Sequence, residues 1–539
     1  MSMIAVREHE PTLTAGGPPD IAPVPARRVA TPRLLVAGAV LVALVLLLPL
    51  AFLILQAAQD GWSTLHPLLF RSLTAKLLWN TVSLTAVVTV ACAVVGTLAA
   101  WFVERTDLPA RKLWAVLVVV PLGIPDFVTS FGWKSIVPSL GGFWAAALVM
   151  TLAVYPLVYL PVAAALRGAD PAQEEVARSL GLGRMKTFWR VTMAQVRVAV
   201  LGGCVLVALV MLAEYGAFEI LGFRTFTTEI YTELLSGFNA PAACALSLVV
   251  VVVSVFVLAG EGLTRGRGRQ TRSGGLAARV PRPHRLGRSR LPVLAGLFAL
   301  VGLALGVPVG AIVYWILHGG TSTLPSVSIL SPAWHTVFYA GAAGLVATLA
   351  ALPVAILSVR HPGRGSALLE RSTYLVLALP GLVIALALTY VSERYAAGFL
   401  YQSTTMLVVA YAIMFFPLAL VAVRASVAQA PPGLEEVGRS LGRSRLEVFW
   451  RLTMPLVGPG LAAAFCLVFL EVVTELTATL VLIPTGAQTL ATQFWAYQTN
   501  ISYGAAAPYA GLMILVAAVP SYVLGRWFDR LPSRAQVSS

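Results

Sequence analysis

The feature that most constrains this chain is a series of long apolar stretches without a charged residue. Residues 34–56 carry no charge, and neither do residues 77–103. About 20 apolar residues in a helix span a bilayer core of roughly 30 Å. Only 11% of all residues are charged, whereas a soluble domain carries about 25%. These stretches predict helices that cross a membrane, where the backbone must satisfy its own hydrogen bonds.

Twelve predominantly apolar stretches, some of them with a charged residue, follow one another along the chain. Together they predict an all-α polytopic membrane protein with about 12 transmembrane helices. Their bounds are 34–56, 77–103, 113–133, 142–166, 196–220, 241–260, 292–317, 335–358, 373–391, 403–423, 457–482 and 506–526.

The net charge of +15 indicates membrane topology rather than nucleic-acid binding. With the N-terminus placed inside, 33 of the 38 Lys and Arg residues fall in inside segments. Positive charge concentrates on the cytoplasmic side of membrane proteins. We therefore predict a multi-pass protein of the bacterial inner (plasma) membrane, with both termini cytoplasmic, lipid around it and no nucleic-acid partner. The five remaining residues are Arg71, Lys76, Lys134, Arg224 and Arg394.

An internal repeat divides the chain into two halves. Residues 174–193 read EEVARSLGLGRMKTFWRVTM, residues 435–454 read EEVGRSLGRSRLEVFWRLTM, and 13 of the 20 positions are identical. Each half has six stretches, so both copies reach the same membrane face and the repeats are parallel. The predicted organisation is a disordered tail (1–33), a first repeat (34–262), a basic cytoplasmic linker (263–290), a second repeat (291–528) and a tail (529–539).

The two repeated loops (residues 170–194 and 431–455) each read as a short helix, a glycine turn and a second short helix. Gly181 and Gly442 come where a helix can end on a left-handed glycine. We expect each repeated loop to be a rigid projection that docks onto a partner. The candidate docking residues are Glu174, Glu175, Gly181 and Arg184 in the first loop, and Glu435, Glu436, Gly442 and Arg445 in the second.

Both repeated loops resemble the EAA signature of binding-protein-dependent ABC importer permeases. Glu175 and Glu436 match its glutamate, and Gly181 and Gly442 match its glycine, although Gly438 replaces an alanine. The resemblance implies the type I importer permease fold. It also implies that each loop is a coupling helix that inserts into an ATPase subunit.

Other segments resemble the fused permeases of the ferric-iron group. They include PLGIPDFVTSFGW at 121–133 and ELTATLVLIPTGAQTLATQFW at 475–495. This resemblance implies ferric iron as the cargo, delivered by an extracytoplasmic binding protein. Thiamine, polyamine and phosphonate permeases share much of the pattern and remain alternatives.

The chain has no sequence that could hydrolyse ATP. A P-loop ends in Gly-Lys-Ser/Thr, but only Lys134 and Lys186 precede Ser or Thr here, and neither follows Gly. We expect no catalysis and no bound cofactor in this chain, with ATP and Mg held by two separate ATPase subunits, expected to be identical. A 6+6 secondary transporter is the alternative from another class, and a scaffold or sensor is a third.

Acids at membrane depth are the candidate pathway residues, because charge inside a span is costly. Glu214 and Glu475 lie at positions matched by a spacing of 261 residues, which also maps Pro156 onto Pro417. Each comes late in its stretch, so we expect both at the external mouth. Asp126, Glu471 and Tyr215 complete the candidate pathway. Helix capping, or a bond to a hydroxyl such as that of Thr477, is an equally open explanation.

No metal site is predicted, because the cysteines are isolated and the Met and His residues do not cluster. The four cysteines are Cys92, Cys204, Cys244 and Cys466.

Overall fold

The computed structural model describes residues 33–169, 171–237, 239–264, 284–319, 329–395 and 400–530. Almost all of the two predicted tails and most of the predicted linker lie outside these ranges. Within these ranges ten helices are long and apolar enough to cross a membrane, and the number is 12 if each of two bent helix pairs is one span. The ten helices are Arg33–Leu69, Ser72–Arg105, Gly142–Gly168, Phe188–Ala213, Ala240–Gly260, Gly287–His318, Leu330–Arg360, Thr404–Gln429, Phe449–Thr474 and Tyr503–Pro520. The prediction of an all-α chain with two sets of six spans is confirmed.

The third and ninth spans are not the straight helices that the stretches 113–133 and 373–391 predicted. Arg111–Gly123 and Asp126–Ile136 meet at 91°, and Arg364–Ala378 and Gly381–Tyr395 meet at 103°. Proline causes both breaks, because it lacks an N–H and disfavours helical geometry in the residue before it. Ile124 before Pro125, and Leu379 before Pro380, are accordingly extended.

The fifth and eleventh spans end earlier than the predicted bounds 196–220 and 457–482. The helices stop at Ala213 and Thr474, and the next residues, Glu214 and Glu475, have extended backbones. Short helices follow at Gly216–Ile220 and Thr477–Leu482. At their other ends both spans begin in one turn of π-helix that continues from the repeated loop, at Phe188–Thr192 and Phe449–Thr453.

The first span of each repeat packs against the other repeat. Leu46 of the first span lies in one buried cluster with Val354 of the eighth. In the opposite direction, Leu297 of the seventh span joins the buried core of the first repeat. Phe298 beside it meets Trp114 at a centroid distance of 4.8 Å. The two repeats therefore interlock and do not merely touch.

Matched hydrogen bonds show that the two repeats share their local architecture. The Phe226 N–H donates to Thr81 Oγ1 at 3.2 Å, and the Leu490 N–H donates to Thr336 Oγ1 at 2.9 Å. Phe226 and Leu490 begin the corresponding helices Phe226–Leu235 and Leu490–Thr499, which the apolar stretches did not predict.

One substitution between the repeated loops has a direct packing explanation. Gly438 stands where the first loop has Ala177, and a Cβ there would lie 2.8 Å from Leu452 Cδ1 and 3.0 Å from Val448 Cγ2. The first loop has the smaller Val191 at the position of Leu452. Glycine in the second loop thus compensates for the larger leucine.

We expect Gly438→Ala to destabilise the second repeated loop by about 1–3 kcal/mol, the usual cost of overpacking. Faster amide hydrogen exchange in residues 432–453 would measure this loss. Gly438→Ala with Leu452→Val recreates the pairing of the first loop and should restore slow exchange. If the double variant exchanges as fast as the single one, the packing explanation is wrong.

Candidate functional site

Both repeated loops turn on a left-handed glycine, as predicted. Gly181 has φ 83° and Gly442 has φ 80°. The Gly181 N–H donates to Arg178 O at 3.0 Å, and the Gly442 N–H donates to Arg439 O at 3.0 Å. In each loop the N–H of the residue after the glycine donates to the carbonyl oxygen five residues earlier, which completes a Schellman motif. The helix ends are therefore rigid, and their direction depends on these two glycines.

The first glutamate of each loop points inward and braces the loop against its own repeat. Thr192 Oγ1 donates to Glu174 Oε1 at 2.8 Å, and Arg105 Nη2 lies 3.9 Å from the same oxygen. The second loop repeats this arrangement, with Glu435 Oε1 accepting from Thr453 Oγ1 at 3.1 Å and from Arg360 Nη2 at 3.2 Å. Glu174 and Glu435 thus position the loops and do not offer free docking groups.

The charge of Glu174 is stabilised by its neighbours. The His284 ring, the Thr192 hydroxyl and Arg105 hold the pKa of this carboxyl below its ordinary value. Because the pKa is lowered in the folded loop, the brace is intact near neutral pH and weakens only as the pH falls through that lowered value.

The second glutamate of each loop points outward. Glu175 and Glu436 are exposed, whereas the side chains of Arg184 and Arg445 lie outside the described ones. The structure therefore separates the bracing residues of the two loops from their outward residues.

Each loop also exposes three apolar side chains that the candidate set omitted. They are 55–76% exposed and occupy matched positions: Val176, Leu180 and Trp189 in the first loop, and Val437, Leu441 and Trp450 in the second. Clustered exposed apolar side chains mark interaction surfaces. The i, i+4 spacing of the Val and Leu residues was the sequence signal for them.

The four candidate acids form a carboxyl cluster (Asp126, Glu214, Glu471 and Glu475) between the repeats. Glu214 interacts electrostatically with Asp126 and Glu475, Asp126 with Glu471, and Glu475 with Glu471. Three of the four are half-buried and Glu471 is exposed, so none of the four is sealed in the core. The described residues contain no group of three or more His, Cys, Asp or Glu side chains arranged to hold a metal ion. Within the described residues the cluster is therefore a group of neighbouring carboxyls and not a preformed metal centre.

Glu214 and Glu475 do cap helices, which was one of the two explanations left open. Glu214 Oε1 accepts from the Ala217 N–H at 2.6 Å, and Glu475 Oε1 accepts from the Ala478 N–H at 2.9 Å. The bond to the carboxylate replaces a helical hydrogen bond, which explains why both spans stop at this point. Only one oxygen of each carboxylate is used in these bonds.

Tyr215 lies where the two repeats meet. It is buried, and its ring packs 4.3 Å from Tyr231 and 5.6 Å from Trp495 of the second repeat. At the adjacent Gly216, a Cβ would lie 3.0 Å from Leu476 Cδ2 of the second repeat. Tyr215 therefore belongs to the contact between the repeats, and the carboxylates stand beside that contact.

Two hydroxyl residues near the cluster were missed from the sequence. Thr129 and Ser130 follow Asp126 by three and four positions and so share its helix face. Both are buried, and neither hydroxyl has a hydrogen-bond partner among the described residues. Their i+3 and i+4 spacing from an acid was the available signal.

The chain thus has two interlocked repeats, a matched pair of loops and a carboxyl cluster between its halves. The model of the family described as binding-protein-dependent transport system inner membrane component matches residues 93–264 and 343–534, once in each repeat. The chain belongs to this family, as a fused two-repeat permease. It is a multi-pass transport protein and not an enzyme, and membership implies an ATPase and a binding protein as partners. The 6+6 secondary transporter is thereby set aside.

Three relatives show how far the similarity extends. The chain is 36% identical over 493 residues to the Fe(3+)-transport system permease protein FbpB 2 of Haemophilus influenzae, covering 90% of this chain and 97% of the relative. It is 23% identical over 482 residues to the ferric transport system permease protein FbpB of Actinobacillus pleuropneumoniae, covering 82% of this chain and 69% of the relative. It is 29% identical over 238 residues to the sulfate transport system permease protein CysT of Escherichia coli, covering 40% of this chain and 86% of the relative.

Proposed function

We propose that this chain forms the pathway through which an ABC importer carries ferric iron across the bacterial inner membrane. An extracytoplasmic binding protein delivers the ion, and both termini of the permease lie in the cytoplasm. Each repeated loop docks onto one of two identical ATPase subunits, which hold ATP and Mg. The observation that carries this proposal is the matched pair of loops, each with a glycine turn, an inward glutamate and three outward apolar side chains.

The carboxyl cluster supports a cationic cargo. Hard cations prefer oxygen ligands, and carboxylates supply them. The names of two relatives refer to ferric iron. Cationic thiamine and polyamines also suit an acidic lining, so they are the competitors to test. An anionic phosphonate would face the unfavourable field of four acids.

We expect the chain to purify with its ATPase in a ratio of one permease to two ATPase copies. Native mass spectrometry of the detergent-solubilised complex measures this ratio. Leu180→Asp and Leu441→Asp form a matched pair, and each should weaken the binding of one ATPase copy, because a charge enters an apolar contact. A stable complex with one ATPase copy that transports at the full rate would contradict the proposal.

A further inference from the structure

The first repeated loop is held by a contact that the second lacks. The chain re-enters the described structure at residues 284–286, which we name the strap. The His284 N–H donates to Arg105 O at 2.8 Å, and the Asp107 N–H donates to His284 O at 3.1 Å. The Leu286 N–H donates to Asp107 Oδ1 at 2.8 Å. The strap is thus tied by its backbone to the end of the second span, although the sequence predicted these residues as linker.

The side chain of His284 joins the strap to the first repeated loop. Arg178 Nη2 lies 2.8 Å from its Nδ1 and 3.1 Å from its Nε2, and Glu174 Oε2 lies 3.6 Å from the same Nε2. The ring also stacks on Trp101 at 6.0 Å. Both ring nitrogens therefore face Arg178, and Nε2 also faces Glu174, so the ring contacts two residues of the first repeated loop.

The second repeated loop has no equivalent in the described part of the chain. Arg360 matches Arg105, but His361 and Pro362 follow it, so no carboxylate stands at the position of Asp107. Arg439, which matches Arg178, donates to the backbone of its own helix, at 3.4 Å from Glu435 O, and bonds to no other described residue. The Glu435 side chain is 34% exposed, against 9% for Glu174.

We propose that the strap fixes the first repeated loop in its docking orientation, that His284 is the positioning residue, and that the two coupling sites are therefore mechanically unequal. This inference rests on the proposed coupling role of the loops. A pair of identical ATPase subunits would then meet one loop that the strap holds and one loop that has only its own glutamate brace.

Hydrogen exchange on the full chain in lipid nanodiscs tests the strap without any partner. His284→Ala should speed exchange in residues 171–182 by about tenfold, as expected for the loss of a hydrogen bond to a charged group. Residues 432–443 should not change. Arg178→Ala should reproduce the effect, whereas its matched control Arg439→Ala should leave the second loop as it was.

Two further variants separate the strap from general damage. Asp107→Ala loosens the strap without touching the loop and should have the same effect as His284→Ala. His284→Gln can still accept from Arg178 and donate to Glu174, so it should keep slow exchange. If exchange is unchanged in His284→Ala and Asp107→Ala, or changes equally in both loops, the strap does not hold the first repeated loop and the proposal is wrong.

Uptake in proteoliposomes then tests its consequence. His284→Ala should retain the bound ATPase but lower the substrate carried per ATP hydrolysed by at least about threefold. Faster exchange with unchanged uptake per ATP would overturn the positioning role. If wild-type vesicles show no ATP-driven uptake, the proposed function is wrong. The exchange comparison would still decide whether the strap holds the first repeated loop.

Discussion

Replacing Gly181 or Gly442 with proline is expected to lower ATP-driven uptake by more than tenfold while the membrane spans stay folded. Proline fixes φ near −65°, whereas these residues have φ 83° and 80°. It also removes the N–H that donates to Arg178 O or Arg439 O. The local cost is about 3 kcal/mol or more, enough to depopulate the docking conformation over 100-fold.

Asparagine is the matched control for both glycines, because it tolerates left-handed geometry and keeps its N–H. Gly181→Asn and Gly442→Asn should therefore retain most uptake. Helix content by circular dichroism and a monodisperse elution profile check that the spans remain intact. Normal uptake in both proline variants would show that the glycine turns do not orient a docking surface.

Replacing both Glu214 and Glu475 with glutamine is expected to reduce uptake of a cationic substrate by more than tenfold. The amide oxygen of glutamine can still accept from the Ala217 and Ala478 N–H groups, so the helix caps remain. What is lost is the negative charge of two members of the carboxyl cluster. Because the two carboxyls interact, the effect of the double change should not be the sum of the single effects.

A pure capping role predicts a different result. It would leave uptake near normal, with any loss appearing as a lower melting temperature that is additive for the two sites. Glu219→Gln is a suitable control, because Glu219 is exposed and lies outside the cluster. Uptake and thermal stability measured on the same preparations separate the two roles. Unchanged uptake in the double variant would remove both residues from the pathway.

Much of the fold and of the loop geometry could be predicted because it depends on local signals. Apolar length predicted the spans, and a glycine where each short loop helix can end predicted the left-handed turns at Gly181 and Gly442. The spacing of 261 residues paired Glu214 with Glu475 before any contact was known. These features need only neighbouring residues or an internal repeat.

The remaining features depend on contacts between distant segments. The stretch 113–133 is uncharged apart from Asp126, so its length suggested one helix although Pro125 breaks it. The carboxyl cluster combines acids from both repeats, which only the interlocking of the spans brings together. The bond of His284 to a loop 106 residues earlier has no local sequence signal.

Uptake of radioactive ferric ion into proteoliposomes tests the central claim most directly. The vesicles would contain this chain with its ATPase, and the ion would be supplied on the binding protein. We predict uptake that requires ATP and the binding protein and that excess thiamine or polyamine does not inhibit. Ferric uptake that proceeds equally well without ATP would contradict the account. So would vesicles that take up another cargo in an ATP-driven way but take up no ferric ion.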